Sequence, residues 1–412
     1  MGDLLGGEVR YVLLLFGLFV VPRFFQRFRI PAAIASFGLG VLAGPGLGWE
    51  AHDPTIDLFS TLGIVSLFLF AGLEVEVEDL AGEKWVLLEH VAIRAGAITS
   101  VAILGVTVLD LPARVAAIGS LALLTPSTGF ILESLDSLGL PRDSRFWIRS
   151  KAIVSELLAL AAMFVILQSV TAQRMVVSSA ILLSLVLVVP LALRLFARVI
   201  VPHAPKSEFA FLIILAAVCA IVTRRLGVYY LVGAFVVGIA AQRLRERLPA
   251  MASERMLHAV EAFASLFVPF YFFHAGQGLQ RSDLGLAAAQ TGIFFLAVFV
   301  PIRLFLVDLH RRLRLGESFR TSRTVSIPLL PTLVFTLVLA QILRERFDAP
   351  AWLFGGLIYY AIGNTLLPSL LLRRPPPAFE APELPPLHAK GVPLDEKEPA
   401  APHFRQDERR LP

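Results

Sequence analysis

Apolar positions along this chain follow neither the two-residue alternation of a half-buried strand nor the single stripe of a surface helix. They run in blocks of about 20 residues, the helix length needed to cross a hydrocarbon core. Short loops carrying charge, proline or glycine separate them. About thirteen such blocks can be marked. The first six are Val9–Phe25, Ile30–Leu47, Ile56–Leu73, Trp85–Leu109, Pro112–Leu135 and Ile148–Gln168. Met175–Arg198, Glu208–Thr223, Val228–Ala241 and Ala262–Gly276 follow, then Leu284–Leu309, Thr324–Leu343 and Trp352–Leu372. The pattern predicts an all-α polytopic membrane protein with about thirteen transmembrane helices.

Two blocks are interrupted. The fifth contains Thr125-Pro126-Ser127-Thr128-Gly129 and the twelfth Ser326-Ile327-Pro328-Leu329-Leu330-Pro331-Thr332. Proline inside a helix removes one hydrogen bond and clashes with the preceding turn, and Ser and Thr compete with the backbone for partners. Non-helical backbone survives at membrane depth only when buried in protein or lining a cavity. The interrupted blocks are seven spans apart, so they cross the membrane in opposite directions, as an inverted-topology repeat requires. Blocks one to six then repeat as eight to thirteen, with Met175–Arg198 as a linker. A pair of ordinary proline kinks is the plainer alternative.

Composition agrees with the pattern. The 412 residues are 56% hydrophobic and 17% charged, against roughly 25% charged in soluble domains. The formal net charge of +5 comes mostly from arginines in loops. Loops alternate between basic, such as Arg23/Arg27/Arg29, Arg142/Arg145/Arg149, Arg243/Arg245/Arg247 and Arg311/Arg312/Arg314, and poor in Lys and Arg, such as Glu50–Asp57. By the positive-inside rule this predicts an N-terminus outside and a C-terminus in the cytoplasm. There is no compact basic domain for nucleic acid, and the N-terminal residues lack the features of a cleaved signal peptide. The one cysteine, Cys219, falls in an apolar block and allows neither an intramolecular disulfide nor a cysteine metal site. From Arg373 to Pro412 the chain turns rich in Pro, Glu and Ala and reads as a disordered cytoplasmic tail.

Charge inside the spans carries the candidate chemistry. Glu156, preceded by Ser155, lies near the centre of the sixth block. A charged group near a bilayer midplane costs at least a few kcal/mol, so it is rare there without a partner or a task. Burial disfavours the charged form of a carboxylate, so such a group can hold a proton near neutral pH and trade it for a cation. Hard monovalent cations take oxygen ligands, and the hydroxyls of Thr125, Ser127 and Thr128 with freed backbone carbonyls supply them. A carboxylate bonded to its neighbours, or paired with Arg303 for structure alone, is the competing account. Arg303 in the eleventh block either snorkels, neutralises the negative half-helix ends, or pairs with Glu156. Pro126, Gly129, Pro328, Pro331 and Thr332 are assigned to the broken-helix segments. Glu89, Arg94, Glu133 and His274 are accessory candidates for which structural roles compete, and Glu74, Glu76, Glu78 and Asp79 read as a solvated loop face. No cofactor and no metal beyond a transported monovalent cation is expected.

Five stretches carry a resemblance: Ile30–Pro45 (IPAAIASFGLGVLAGP), Leu67–Glu74 (LFLFAGLE), Leu123–Leu132, Leu231–Ala240 (LVGAFVVGIA) and Phe267–Gly276 (FVPFYFFHAG). In their order and spacing the chain resembles the monovalent cation:proton antiporter-2 family, the Kef-like and Nap-like sodium or potassium/proton exchangers. The resemblance runs from about Pro22 to Leu372. It implies a homodimer whose protomer has a scaffold part (about 9–73 and 208–276), a linker helix (175–198) and a mobile six-helix core (about 85–168 and 284–372) moving like an elevator. It places Glu156 at the family's ion-binding aspartate and Arg303 at a lysine or arginine that neutralises the helix crossing. The chain departs from the family in having Ser155-Glu156 where Asp usually follows Gln, Asn or Asp. It also has Leu330–Phe335 where the Kef-like branch has Gly-Glu-Phe, and it lacks a nucleotide-binding gating domain.

The expected activity is secondary antiport of Na+ or K+ against H+ across the cell (inner) membrane, electroneutral because a single carboxylate serves the site. The expected partners are these ions, membrane lipid and a second copy of the chain, with no nucleic acid. A substrate symporter on the same scaffold and a non-transporting sensor or passive cation channel are the alternatives. An enzyme is not expected: no span holds a His-Glu-x-x-His zinc motif or a Gly-x-Ser-x-Gly elbow.

Overall fold

The structure is a computed structural model that describes residues 7–49, 53–75, 82–135, 139–204, 207–227, 230–244 and 253–372. The tail from 373 to 412, the loop acids Glu76, Glu78 and Asp79, and Arg245 and Arg247 lie outside the described residues. Within them all extended regular structure is helical. The helices are α1 (Gly7–Gln26), α2 (Ala32–Val41, continued by a π-helical turn Leu42–Gly46), α3 (Pro54–Leu73), α4 (Lys84–Leu109), α5 (Ala113–Leu124), α6 (Thr128–Leu135), α7 (Arg142–Gln168) and α8 (Ala172–Val199). There follow α9 (Glu208–Arg225), α10 (Tyr230–Arg243), α11 (Glu254–Gln277), α12 (Leu286–Leu315), α13 (Phe319–Ser326), α14 (Leu333–Phe347) and α15 (Ala351–Leu371).

Among the described residues, eight stretches are long and apolar enough to cross a membrane. One of them is the interrupted pair α5–α6. The apolar parts of α1, α2 and α10 are shorter. Length and composition thus carry eight of the expected spans by themselves. Several helices outrun their apolar blocks: α7 starts at Arg142 rather than Ile148, α11 at Glu254 rather than Ala262, and α12 runs to Leu315 rather than Leu309. Hydropathy marks only the part of a helix that suits hydrocarbon, whereas helical hydrogen bonding continues until a cap stops it. Ser253 begins α11 by accepting from the Met256 amide, and Asp53 begins α3 by accepting from Thr55 N at 2.8 Å. Residues with positive φ end α4 (Asp110), α12 (Gly316) and α14 (Asp348).

Contacts sort the helices into two groups. In one, α3 packs on α11, α10 and α9, and α2 packs on α11 and α1. In the other, α12 packs on α15, α4 on α5 and α7, and α14 on α15 and α5. α8 touches α10, α7 and α9, and α3 reaches across to α6. The first group is held at backbone distance: a Cβ on Gly238 of α10 would lie 2.4 Å from Leu69 O of α3, and one on Gly276 of α11 would lie 2.2 Å from Phe37 O of α2. Small residues let membrane helices approach this closely, where packing rather than a hydrophobic force drives association.

Candidate functional site

Both interrupted blocks are true breaks. α5 stops at Leu124, Thr125 is extended (φ −87°, ψ 124°), and α6 restarts at Thr128. Between α13 and α14 the chain is non-helical from Ile327 to Thr332, which includes Pro328 and Pro331. Gly129 corrects the sequence assignment, since it is helical within α6 rather than part of the break. Its lack of a side chain serves packing instead, because a Cβ there would sit 3.0 Å from the Leu67 side chain of α3.

The two breaks bond to each other. Ser127 N donates to Pro331 O at 2.8 Å, Phe335 N to Ser127 Oγ at 3.1 Å, and Thr336 Oγ1 to Ala122 O at 2.7 Å. Four helix ends therefore meet in one buried volume. Each end exposes backbone groups that its own helix cannot satisfy, and side chains from neighbouring helices satisfy them. At the carbonyl end of α5, Arg94 Nη1 of α4 donates to Leu124 O at 2.9 Å, and Arg303 serves non-helical carbonyls in the break after α13. Arg303 of α12 donates through Nη2 to Leu329 O and through Nη1 to Leu330 O, both at 2.7 Å. Tyr360 links the breaks, receiving Arg303 Nη1 at 3.1 Å and donating to Leu123 O at 2.6 Å. At the two amide ends, Glu156 Oε2 of α7 accepts from Thr128 N at 3.2 Å, and Asn364 Oδ1 of α15 accepts from Thr332 N at 3.3 Å. These arginines, Glu156 and Asn364 are at most 2% exposed. Positive guanidinium at the carbonyl ends and a carboxylate at an amide end follow the sign of the helix dipole.

This arrangement answers several sequence expectations. Arg303 donates to carbonyls and to a tyrosine rather than to Glu156, so the ion pair weighed from sequence is not formed here. Arg94 is its counterpart in the other half, bonded to Leu124 O. The Thr125 hydroxyl is buried without a hydrogen-bond partner, the Thr128 hydroxyl lies at the Glu156 carboxylate, and Ser127 Oγ is engaged by Phe335 N. Ser155 is engaged elsewhere: its hydroxyl donates to Lys151 O at 2.6 Å and lies 3.1 Å from His90 Nε2. Glu156, Thr128 and Phe335 border a narrow cleft whose other wall is Leu67, Phe68 and Ala71 of α3. Glu89 is half-exposed and meets His310 Nε2 at 3.3 Å and Arg314 Nε at 3.2 Å. His274 lies in the first helix group, 3.4 Å from Asp57. The side chain of Glu133 lies outside the described residues.

Sequence reading missed Asn364, Tyr360, His90, Lys151 and His310. Lys151 is fully buried, with its ammonium 3.1 Å from His310 Nδ1 and over the Trp147 ring. For Asn364 a signal existed: it is a polar residue in the thirteenth block, the repeat position of the block that holds Glu156. Chemically, the site sets one buried carboxylate and the Thr128 hydroxyl at the amide end of α6, with the Thr125 hydroxyl in the same break. That set can hold either a proton or a small hard cation. Among the described residues no cluster of three His, Cys, Asp or Glu is placed to hold a metal ion.

Comparison with known proteins follows the same line. The family profile described as "Sodium/hydrogen exchanger, transmembrane" matches residues 12–373. The chain is 36% identical over 67 residues to "Probable Na(+)/H(+) antiporter 3" of Methanocaldococcus jannaschii, a stretch covering 16% of this chain and 17% of that relative. The fold is similar to a structure of the sodium proton antiporter MjNhaP1 from the same organism at pH 8, with TM-score 0.65 and 15% identity over 88% of this chain and 95% of that one. A three-dimensional electron microscopy map of the same antiporter gives TM-score 0.68 at 15% identity, over 88% and 94%.

Proposed function

The chain belongs to the transmembrane sodium/hydrogen exchanger family, and from that premise we propose that it is a secondary active monovalent cation:proton antiporter, exchanging Na+ or K+ for H+ at Glu156. The observation that carries this reading is the place of Glu156: buried, at the amide end of α6, beside Thr128 and at the cleft against α3. With a proton bound, Glu156 is neutral. When the proton leaves, a cation takes its charge, and the Thr125 and Thr128 oxygens complete its coordination. One proton lost per monovalent cation bound leaves the charge of the site unchanged, which makes the exchange electroneutral. Arg94 and Arg303 hold the backbone carbonyls of the two breaks in place, so they shape the field around the site.

Alternating access in this reading moves the α4–α7 and α12–α15 group against the group containing α3, α10 and α11, with α8 as linker. The cleft beside Glu156 lies where the two groups meet, which supports an elevator-like displacement. The sequence motifs favour the Kef-like and Nap-like branch, a homodimer in the cell membrane, an outside N-terminus and a cytoplasmic C-terminus.

Proteoliposomes with an imposed proton gradient test the reading. Adding Na+ or K+ is expected to dissipate the gradient in the wild type and not in Glu156→Gln, and the active cation names the substrate. If neither cation moves protons between pH 6 and 9, roughly the range in which a buried carboxylate titrates, antiport is ruled out. Cation flux without a fixed proton ratio would instead indicate a channel.

A further inference from the structure

The inverted repeat places a second residue in the role of Glu156. Arg94 donates to the last carbonyl of α5 and Arg303 to two carbonyls of the break after α13, while Glu156 accepts from the first amide of α6 and Asn364 from the amide of Thr332, the residue just before α14. Thr332 stands at the N-terminus of α14, yet its own side chain caps nothing. Asn364 holds Thr332 itself: Oδ1 accepts from Thr332 N at 3.3 Å, and Nδ2 donates to Thr332 Oγ1 at 2.9 Å. An amide can do both, whereas an ionised carboxylate has no donor. Asn364 is fully buried and is also approached by Thr365 Oγ1 at 3.2 Å.

From Thr332 the contacts lead straight to the cation site. The carbonyl just before it, Pro331 O, receives Ser127 N, and Phe335 N in the first turn of α14 reaches Ser127 Oγ. Ser127 lies between Thr125, whose hydroxyl is unpaired, and Thr128, whose amide holds Glu156. We propose that Asn364 is a positioning residue for the cation site: by fixing Thr332 it fixes Ser127, and through Ser127 the spacing of the Thr125 and Thr128 oxygens around Glu156. This rests on cation exchange at Glu156. It assigns to the second repeat, which has no carboxylate at the corresponding place, the task of shaping the site in the first.

The test uses purified full-length protein, wild type beside Asn364→Ala and Thr332→Val, with two readouts. One is the half-saturating Na+ or K+ concentration for proton movement in proteoliposomes. The other is cation-dependent protection against thermal unfolding in detergent, which reads binding without transport. Leaving buried backbone and hydroxyl groups unpaired at Thr332 is expected to raise the half-saturating concentration in Asn364→Ala about tenfold, with the rate at saturating cation within about twofold of wild type. Thr332→Val keeps the amide bond to Asn364 and loses the hydroxyl, so a smaller shift in the same direction is expected, and it serves if the alanine variant does not fold. Variants that unfold at lower temperature but keep wild-type cation dependence in both readouts would overturn the proposal, leaving Asn364 a structural residue. A wild type that is protected by cation but moves no protons would overturn antiport while leaving this inference testable by protection alone.

Discussion

At the scale of single residues, burial decides what each charge does. Glu156 and Arg303 lie within the same buried crossing, yet the arginine is bound to backbone carbonyls and the carboxylate to a backbone amide. Arg303→Ala would leave the carbonyls of Leu329 and Leu330 buried without donors. It is expected to destabilise the protein by about 3 kcal/mol, read as a lower unfolding midpoint in detergent whether or not cation is present. Arg94→Ala, which frees one carbonyl rather than two, is expected to cost less in the same measurement. Lys151 is the opposite case. It is buried against a histidine and a tryptophan ring rather than a carboxylate. Replacing a buried charge by an apolar group of similar volume is often stabilising. Lys151→Met is therefore expected to raise the unfolding midpoint by about 3 °C, and a lowered midpoint would mean that the Lys151–His310 contact outweighs its desolvation.

At the scale of elements, glycine placement separates seams from free faces. Gly238 of α10 faces Gly72 of α3 so closely that an added Cβ would lie 2.7 Å from Gly72 Cα. Gly238→Ala must push the two helices apart, and the yield of monodisperse protein is expected to fall sharply on size-exclusion chromatography. Gly96 in the interior of α4 has open space where a Cβ would go. Gly96→Ala is expected to be neutral or to stabilise by up to about 1 kcal/mol, because alanine loses less backbone freedom in a helix. The five stretches that carry the family resemblance contain Gly40, Gly72, Gly233, Gly238 and Gly276. At each of these a Cβ would meet backbone of a neighbouring helix, so much of that motif is a record of helix seams rather than of ion chemistry.

At the scale of the whole molecule, α3 is the wall against which the site faces. Leu67 of α3 and Gly129 of α6 are in contact across the two helix groups. If transport needs one group to move past the other, a disulfide between Leu67→Cys and Gly129→Cys, in a Cys219→Ala background, is expected to stop exchange under oxidation and release it on reduction. Full exchange in the oxidised, cross-linked protein would mean that this contact is not broken during the cycle.

Much of this was written in the linear sequence. Blocks of apolar residues set the helices because hydrocarbon leaves no other way to satisfy the backbone. Prolines with clustered Ser and Thr marked both breaks because those residues weaken the helix wherever they fall. A lone carboxylate in an apolar block marked Glu156 because its cost there calls for a task. Pairings could not be read the same way. That Arg303 faces carbonyls rather than Glu156, that Arg94 is its counterpart, that Ser127 ties one break to the other, and that Asn364 mirrors Glu156 all depend on which helices cross. Sequence determined which groups had to be satisfied, since that follows from local chemistry. Only the tertiary structure decided who satisfies them, because hydrogen bonds reach about 3 Å and only folding brings residues some 200 positions apart within that distance.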